Sequence, residues 1–220
     1  MAKFRFKQRI LKFLRSFSRY FIDLLIVAFG VFLALYVGER NNQKKTDQNT
    51  LNALTQIISE LEANARNLEN SIAYHEKISV ELDSLSKTLD EEDYFLPFLE
   101  HYKKFNFTKL PSWKGYIIAK TNATFYESAK VSGIFNELNI NTIQVITNVY
   151  DSQKQYSDVA NLSLNKLLDL DSNTKIVDVS VLIERLVKED LFHLETTLLS
   201  EANAGVERLK EIVESKGYKK

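Results

Sequence analysis

Residues 51–72 read LNALTQIISELEANARNLENSI, with apolar side chains at Leu51, Leu54, Ile58, Leu61, Ala65, Leu68 and Ile72. The steps alternate between three and four, which is a heptad seam, and only an α-helix gathers that spacing onto one face. No glycine or proline occurs between Lys44 and Leu96, so nothing in this stretch interrupts a helix. Continuing the register lands on His75, Ser79 and Ser86, while Ile78, Leu82, Leu85 and Leu89 carry the stripe one residue out of phase. The seam therefore slips near His75, as at a stammer or a change from coiled-coil to bundle packing.

Outward toward the C-terminus, the acidic DEED at 90–93 is expected to end this helix. Residues 94–113 are rich in aromatics and hold both prolines, Pro97 and Pro111, so a short helix within a loop is expected. A helix from about Trp113 to Val131 should stop at Gly133. Asn141 or Thr142 is expected to cap the next helix, which carries Ile146, Val149, Tyr150 and Tyr156. DLDSNTK at 169–175 reads as a turn. A last helix opens at Ser180 and ends at Gly217, with Gly205 inside it as a bend or a close contact. Two prolines, six glycines and these runs predict an all-α fold with an antiparallel helical bundle.

Outward toward the N-terminus lies residues 20–37, YFIDLLIVAFGVFLALYV. Eighteen residues at 1.5 Å each give roughly 27 Å of helix, close to the hydrocarbon thickness of a bilayer. The run ends LALYVGER without the small-x-small site of a cleaved signal, so it reads as an uncleaved anchor. Lys3, Arg5, Lys7, Arg9, Lys12, Arg15 and Arg19 precede it with no acid, which places the N-terminus in the cytoplasm. Phe4, Phe6, Ile10, Leu11, Phe13, Leu14 and Phe17 between them suit a short amphipathic helix on anionic lipid. The expected organisation is a basic cytoplasmic arm at 1–19 and a transmembrane helix at 20–38. A coiled-coil-like long helix at 39–90 and a bundle at 91–220, packing with 46–90, complete it. Localisation in the inner membrane with a periplasmic C-terminal domain follows, and the lipid bilayer is the first expected partner.

Residues 46–220 hold 19 Lys and Arg against 27 Asp and Glu, a net of −8, so the neutrality of the whole chain averages two oppositely charged parts. An acidic exported part does not look like a nucleic-acid binder. The chain has no cysteine, which excludes disulfides and thiol chemistry.

Several residues of this chain resemble a family of uncharacterised single-pass bacterial membrane proteins, whose pattern is an acid in the anchor, glycine seven residues on, then Ala-Leu. Here these are Asp23, Gly30, Ala34 and Leu35. A second stretch, Tyr126-Glu-Ser-Ala-Lys-Val-Ser-Gly133 followed by a helix ending at Tyr150, with Trp113 upstream, is similar too. Tyr36-Val-Gly-Glu-Arg-Asn-Asn stands where the family carries Asn and Trp. The resemblance implies an N-terminal anchor and a helical exported domain, and no activity.

Asp23 is the single carboxylic acid in the apolar run. Charged groups within spans are costly and often functional; the layout matches single-pass subunits of proton-driven stators, or a phage-defence membrane effector. The alternative is that Asp23 pairs with Arg19 and sets helix depth. Gly30, Ala34 and Gly38 form a small-xxx-small ladder that lets two helix backbones approach, which with the seam favours a homo-oligomer. Phe95, Phe98, Tyr102, Trp113 and Tyr116 concentrate aromatics in one region, as core or as anchors for a membrane or periplasmic protein partner. Asp190-Leu-Phe-His193 is a lone acid-x-x-His pair where a di-iron bundle needs two, so no metal or cofactor is expected. No nucleophile elbow or phosphate loop occurs. Asn106, Asn122 and Asn161 head N-glycosylation triplets, which matter only in a cell that glycosylates exported proteins. A non-enzymatic scaffold or adaptor is the expectation.

Overall fold

The structure, a computed structural model, describes the backbone of residues 2–116 and 118–218 and the side chains from Asp23 onward within them. The cations and aromatics expected to form the amphipathic arm lie outside the described side chains, as do Tyr20 to Ile22 at the start of the apolar run. Helix accounts for 79% of the structure, so the all-α expectation holds. Among the described residues there is no strand, only an isolated bridge between Pro97 and Lys175.

Helix α1 spans Ala2–Ser86. It ends four residues short of the expected boundary, and Lys87 to Leu89 close it in a turn. Helix α2 (Phe98–His101) is the short helix expected inside the proline-bearing loop, flanked by single 3-10 turns at Asp93–Phe95 and Phe107–Lys109. Then come α3 (Thr124–Val131), α4 (Ile140–Leu168), α5 (Ile176–Glu184) and α6 (Leu191–Glu214). Between α5 and α6 the backbone forms a π-helical turn, Arg185–Asp190. The chain divides into two compact units, Met1–Asn49 and Thr50–Lys220.

In the second unit, the heptad seam is the core-facing side of α1. Leu54, Leu61 and Leu68 are fully buried, and Ile58 and Ala65 nearly so. The neighbours of Leu54, Ile58, Leu61 and Ala65 are the chain's own residues: Tyr126 and Ala129 of α3, Ile146, Val149 and Tyr150 of α4, and Ala202, Val206 and Leu209 of α6; Leu68 already belongs to the second core. The seam is thus spent within the chain and gives no support to pairing with a second copy. Past the slip, Ile78 and Leu82 enter a second core with Phe105, Tyr156, Ala160, Ile176, Val179, Ile183 and Leu191. Full burial of each aliphatic side chain contributes about 1.5–3 kcal/mol.

Three expected boundaries are corrected. Residues 113–123 are not helical where described, and α3 starts only at Thr124; the reason is a row of α1 side chains, described below, that competes for their backbone groups. The cap of α4 is Asn139, not Asn141 or Thr142, and its Oδ1 accepts from Thr142 N at 2.9 Å. Its Nδ2 donates to Gly217 O, fastening the chain's end to this cap. The last helical run opens at Ile176 instead of Ser180, because Asp178 accepts from Lys175 N at 2.9 Å and caps it earlier.

Two glycine expectations hold. Gly133 ends α3 with φ 80°, a left-handed conformation that favours glycine. Gly205 is a close contact: a Cβ there would lie 2.7 Å from Val149 Cγ2, so its absence lets α6 approach α4.

Candidate functional site

Beside the apolar seam of α1 runs a second row with the same alternation: Glu60, Asn64, Asn67, Ser71 and Tyr74. Three of them, Asn64, Asn67 and Tyr74, hold the extended backbone of the connection into α3. Asn64 reads Asn122 twice, donating to its carbonyl at 2.8 Å and accepting from its N–H at 2.8 Å. Asn67 Nδ2 donates to Lys120 O at 2.8 Å. Tyr74 OH donates to Gly115 O at 2.7 Å and accepts from Lys114 N at 3.1 Å. Burial pushes the Tyr74 phenol up, with the Lys114 N–H opposing it. Two turns further along, Glu81 accepts from Ser112 N at 3.0 Å, and the Ser112 bonds hold its carboxyl below the ordinary value.

Glu60 ends this row as the cap of α3. Its carboxylate accepts from Phe125 N at 3.0 Å and Tyr126 N at 3.4 Å, satisfying helix N-terminal donors that Ala123 cannot serve. Tyr150 OH donates to the same carboxylate at 2.6 Å, and burial followed by that carboxylate pushes the Tyr150 phenol upward.

A second buried carboxylate repeats the arrangement. Glu195 of α6 is wholly buried; its Oε1 accepts from Ser71 Oγ at 2.7 Å and from Tyr156 OH at 2.7 Å. Its Oε2 lies 2.8 Å from His75 Nδ1. Tyr156 OH in turn accepts from Ala119 N at 2.8 Å, so one hydroxyl joins α4, α6 and the extended connection. Burial first, then Glu195, raises the Tyr156 phenol. The cluster sits where the heptad register slips: Ser71 and His75 occupy core positions, and Glu195 supplies the acceptor they need. Both carboxylates are buried, where they join helices to one another.

The residues singled out from sequence fall in different places. Asp23, Gly30, Ala34 and Gly38 are exposed on α1, and a Cβ at Gly30 or Gly38 would meet nothing within 4 Å. The Arg19 partner suggested for Asp23 lies outside the described side chains. Of the aromatics, Phe95, Tyr102 and Tyr116 are exposed, at 66%, 47% and 41%. Phe98 and Trp113 pack against the second core; Phe98 stacks on Phe107, and Trp113 meets Phe107 and Tyr116 edge-on at 5.2 and 5.1 Å. Phe95 stands apart under Lys175 Nζ, 5.7 Å from its ring centre.

His193 is exposed, and its would-be pair Asp190 lies 3.5 Å from Arg185 instead. Among the described residues no group of three or more His, Asp or Glu could hold a metal ion. Glu60 and Glu195 are absent from the sequence expectations, in which Tyr150 and Tyr156 figure only as helix positions. A polar row in strict register beside an apolar seam, and an acid within the stripe Leu191, Leu194, Glu195, Leu198, were the available signals.

Among the described residues no helix is long and apolar enough to cross a membrane. Counted from Asp23, a stretch of about eighteen residues takes in Asp23, Glu39 and Arg40. No family model, curated protein or solved structure matches the chain.

Proposed function

We propose that this chain is a non-enzymatic, membrane-anchored helical scaffold or adaptor related to the uncharacterised single-pass family it resembles. The observation that carries the reading is the apolar run itself. Leu24, Leu25, Ile26, Val27, Phe29, Val31, Phe32, Leu33, Leu35, Tyr36 and Val37 follow one another on α1, each between 49% and 72% exposed. Large apolar side chains on every face of a helix, exposed among the described residues, call for lipid or other apolar surface. With Tyr20 and Phe21 ahead of Asp23, the run reaches the length of a span, and the seven cations before it favour a cytoplasmic N-terminus. The acidic antiparallel bundle then stands on the far side, in the periplasm of a double-membrane cell, displaying Phe95, Tyr102 and Tyr116 toward a protein partner. Gly30, Ala34 and Gly38 would join two copies within the bilayer.

A cysteine at Ser84, in this cysteine-free chain, tests the topology. Labelling by a membrane-impermeant maleimide in cells with a permeabilised outer membrane is the expected result; labelling only after lysis of the inner membrane refutes it. Replacing Gly30 and Ala34 by leucine should abolish crosslinked dimers in membranes, and equal crosslinking in both forms sinks the self-association.

A second reading, an ion-coupled subunit or phage-defence effector, rests on Asp23, exposed among apolar neighbours. Asp23→Asn separates the two: full activity with Asn excludes a proton-carrying role.

A further inference from the structure

The connection into α3 and the outer face of α4 enclose a pocket of about 400 Å³, within the size range of small-molecule sites. One wall carries Tyr126 and Tyr150, stacked with ring centres 4.2 Å apart and 10° between planes. Gln153 also lines it. This side chain is only 4% exposed, and its Nε2 has no hydrogen-bond partner among the described residues. A buried donor without an acceptor is unfavourable and points to something that completes it. Gln153 Oε1 lies 3.4 Å from Asn64 Nδ2, a long hydrogen bond, so the carboxamide can turn toward the pocket without giving up a strong contact.

The charges around the opening narrow the ligand. Lys130 is engaged with Glu127 at 3.4 Å and lies over the Tyr126 ring. That leaves Asp151 and Asp158 against Lys154, one surplus negative charge on the α4 rim. Such a rim attracts an ammonium group and disfavours phosphate esters or polyanions. The polar lining likewise disfavours an acyl chain.

We propose that this pocket binds a small zwitterion, of free amino-acid or dipeptide size. Asp151 and Asp158 take its ammonium group, Lys154 takes its carboxylate, and Gln153 Nε2 donates to a carboxylate or amide oxygen. The site lies in the second unit and does not depend on the anchor, so it stands or falls separately from the scaffold reading.

The test is calorimetric titration of the full chain in detergent with the standard free amino acids and with Gly-Gly and Ala-Ala. Saturable binding of at least one probe is expected. Gln153→Met keeps the length of the side chain but removes the donor, and should weaken that probe about tenfold, the worth of one buried hydrogen bond. The exposed rim pair Asp151→Asn/Asp158→Asn leaves the core untouched and should weaken it at least as much, which decides the matter if the Met variant does not fold. Absence of saturable binding by every probe, or unchanged affinity in the rim variant, overturns the proposal.

Discussion

Replacing Glu195 by alanine removes the acceptor on which Ser71, Tyr156 and His75 converge at 2.7, 2.7 and 2.8 Å. Ser71 can turn its hydroxyl toward its own helix, whereas the Tyr156 O–H, left with only the bond it accepts from Ala119 N, loses its acceptor. Stranded buried donors cost about 1–3 kcal/mol each, and breaking a buried charged network costs about 3–5 kcal/mol. We therefore expect a loss of about 3–5 kcal/mol, a large part of the roughly 5–15 kcal/mol that holds a domain folded. Glu195→Gln retains shape and one acceptor oxygen and should lose about 1–3 kcal/mol. Urea unfolding followed by fluorescence reads both variants cleanly, because Trp113 is the only tryptophan and packs against Phe107 in the second core. An alanine variant within about 1 kcal/mol of the parent would refute the argument that this network fixes the packing of α1, α4 and α6.

Asn64→Ala should cost about 1–3 kcal/mol and, in hydrogen-exchange measurements, should open the Asn122 amide well before the core of α4. Gly205→Ala gains about 1 kcal/mol of helix propensity but forces Val149 aside at an overpacking cost of about 1–3 kcal/mol, so a net loss is expected. Adding Val149→Ala should then recover stability relative to Val149→Ala alone, and additive melting temperatures would exclude the contact as the cause. Tyr150 and Tyr156 have phenols raised above the ordinary value near 10. Their contribution is fully present below that pH and is lost as pH climbs through the range above it. In an alkaline titration followed by phenolate absorbance, these two should ionise only together with unfolding; their early, separate ionisation would contradict the buried bonds to Glu60 and Glu195.

Periodicity made most of the helices legible. The spacing of Leu54, Leu61 and Leu68 was sufficient to place α1, and glycine chemistry to stop α3 at Gly133. Residues 113–123 differ from the expected helix for a physical reason: their composition permits a helix, and it is the distant Asn64, Asn67 and Tyr74 that occupy backbone groups there. A contact spanning 58 residues, as between Asn64 and Asn122, leaves no local trace. The heptad seam was legible as a seam but not as to its partner, since a second copy and the chain's own α4 and α6 ask for the same apolar stripe. The polar cluster was half visible: His75 and the register slip were noticed, while Glu195 carried no mark until α6 was packed beside them.

The way α1 grips the connection into α3 divides the burden of conservation unevenly. Every bond that Asn64, Asn67 and Tyr74 make to this connection ends on a main-chain group, which all residue types present alike except for proline's missing N–H. Lys114, Lys120 and Asn122, whose side chains are exposed, can therefore drift without loosening the grip, while the helix positions that hold them cannot. Descendants of this fold would be recognised by an alternating Glu-Asn-Asn-Ser-Tyr row on a helix, and would look unrelated if aligned on the segment that the row secures.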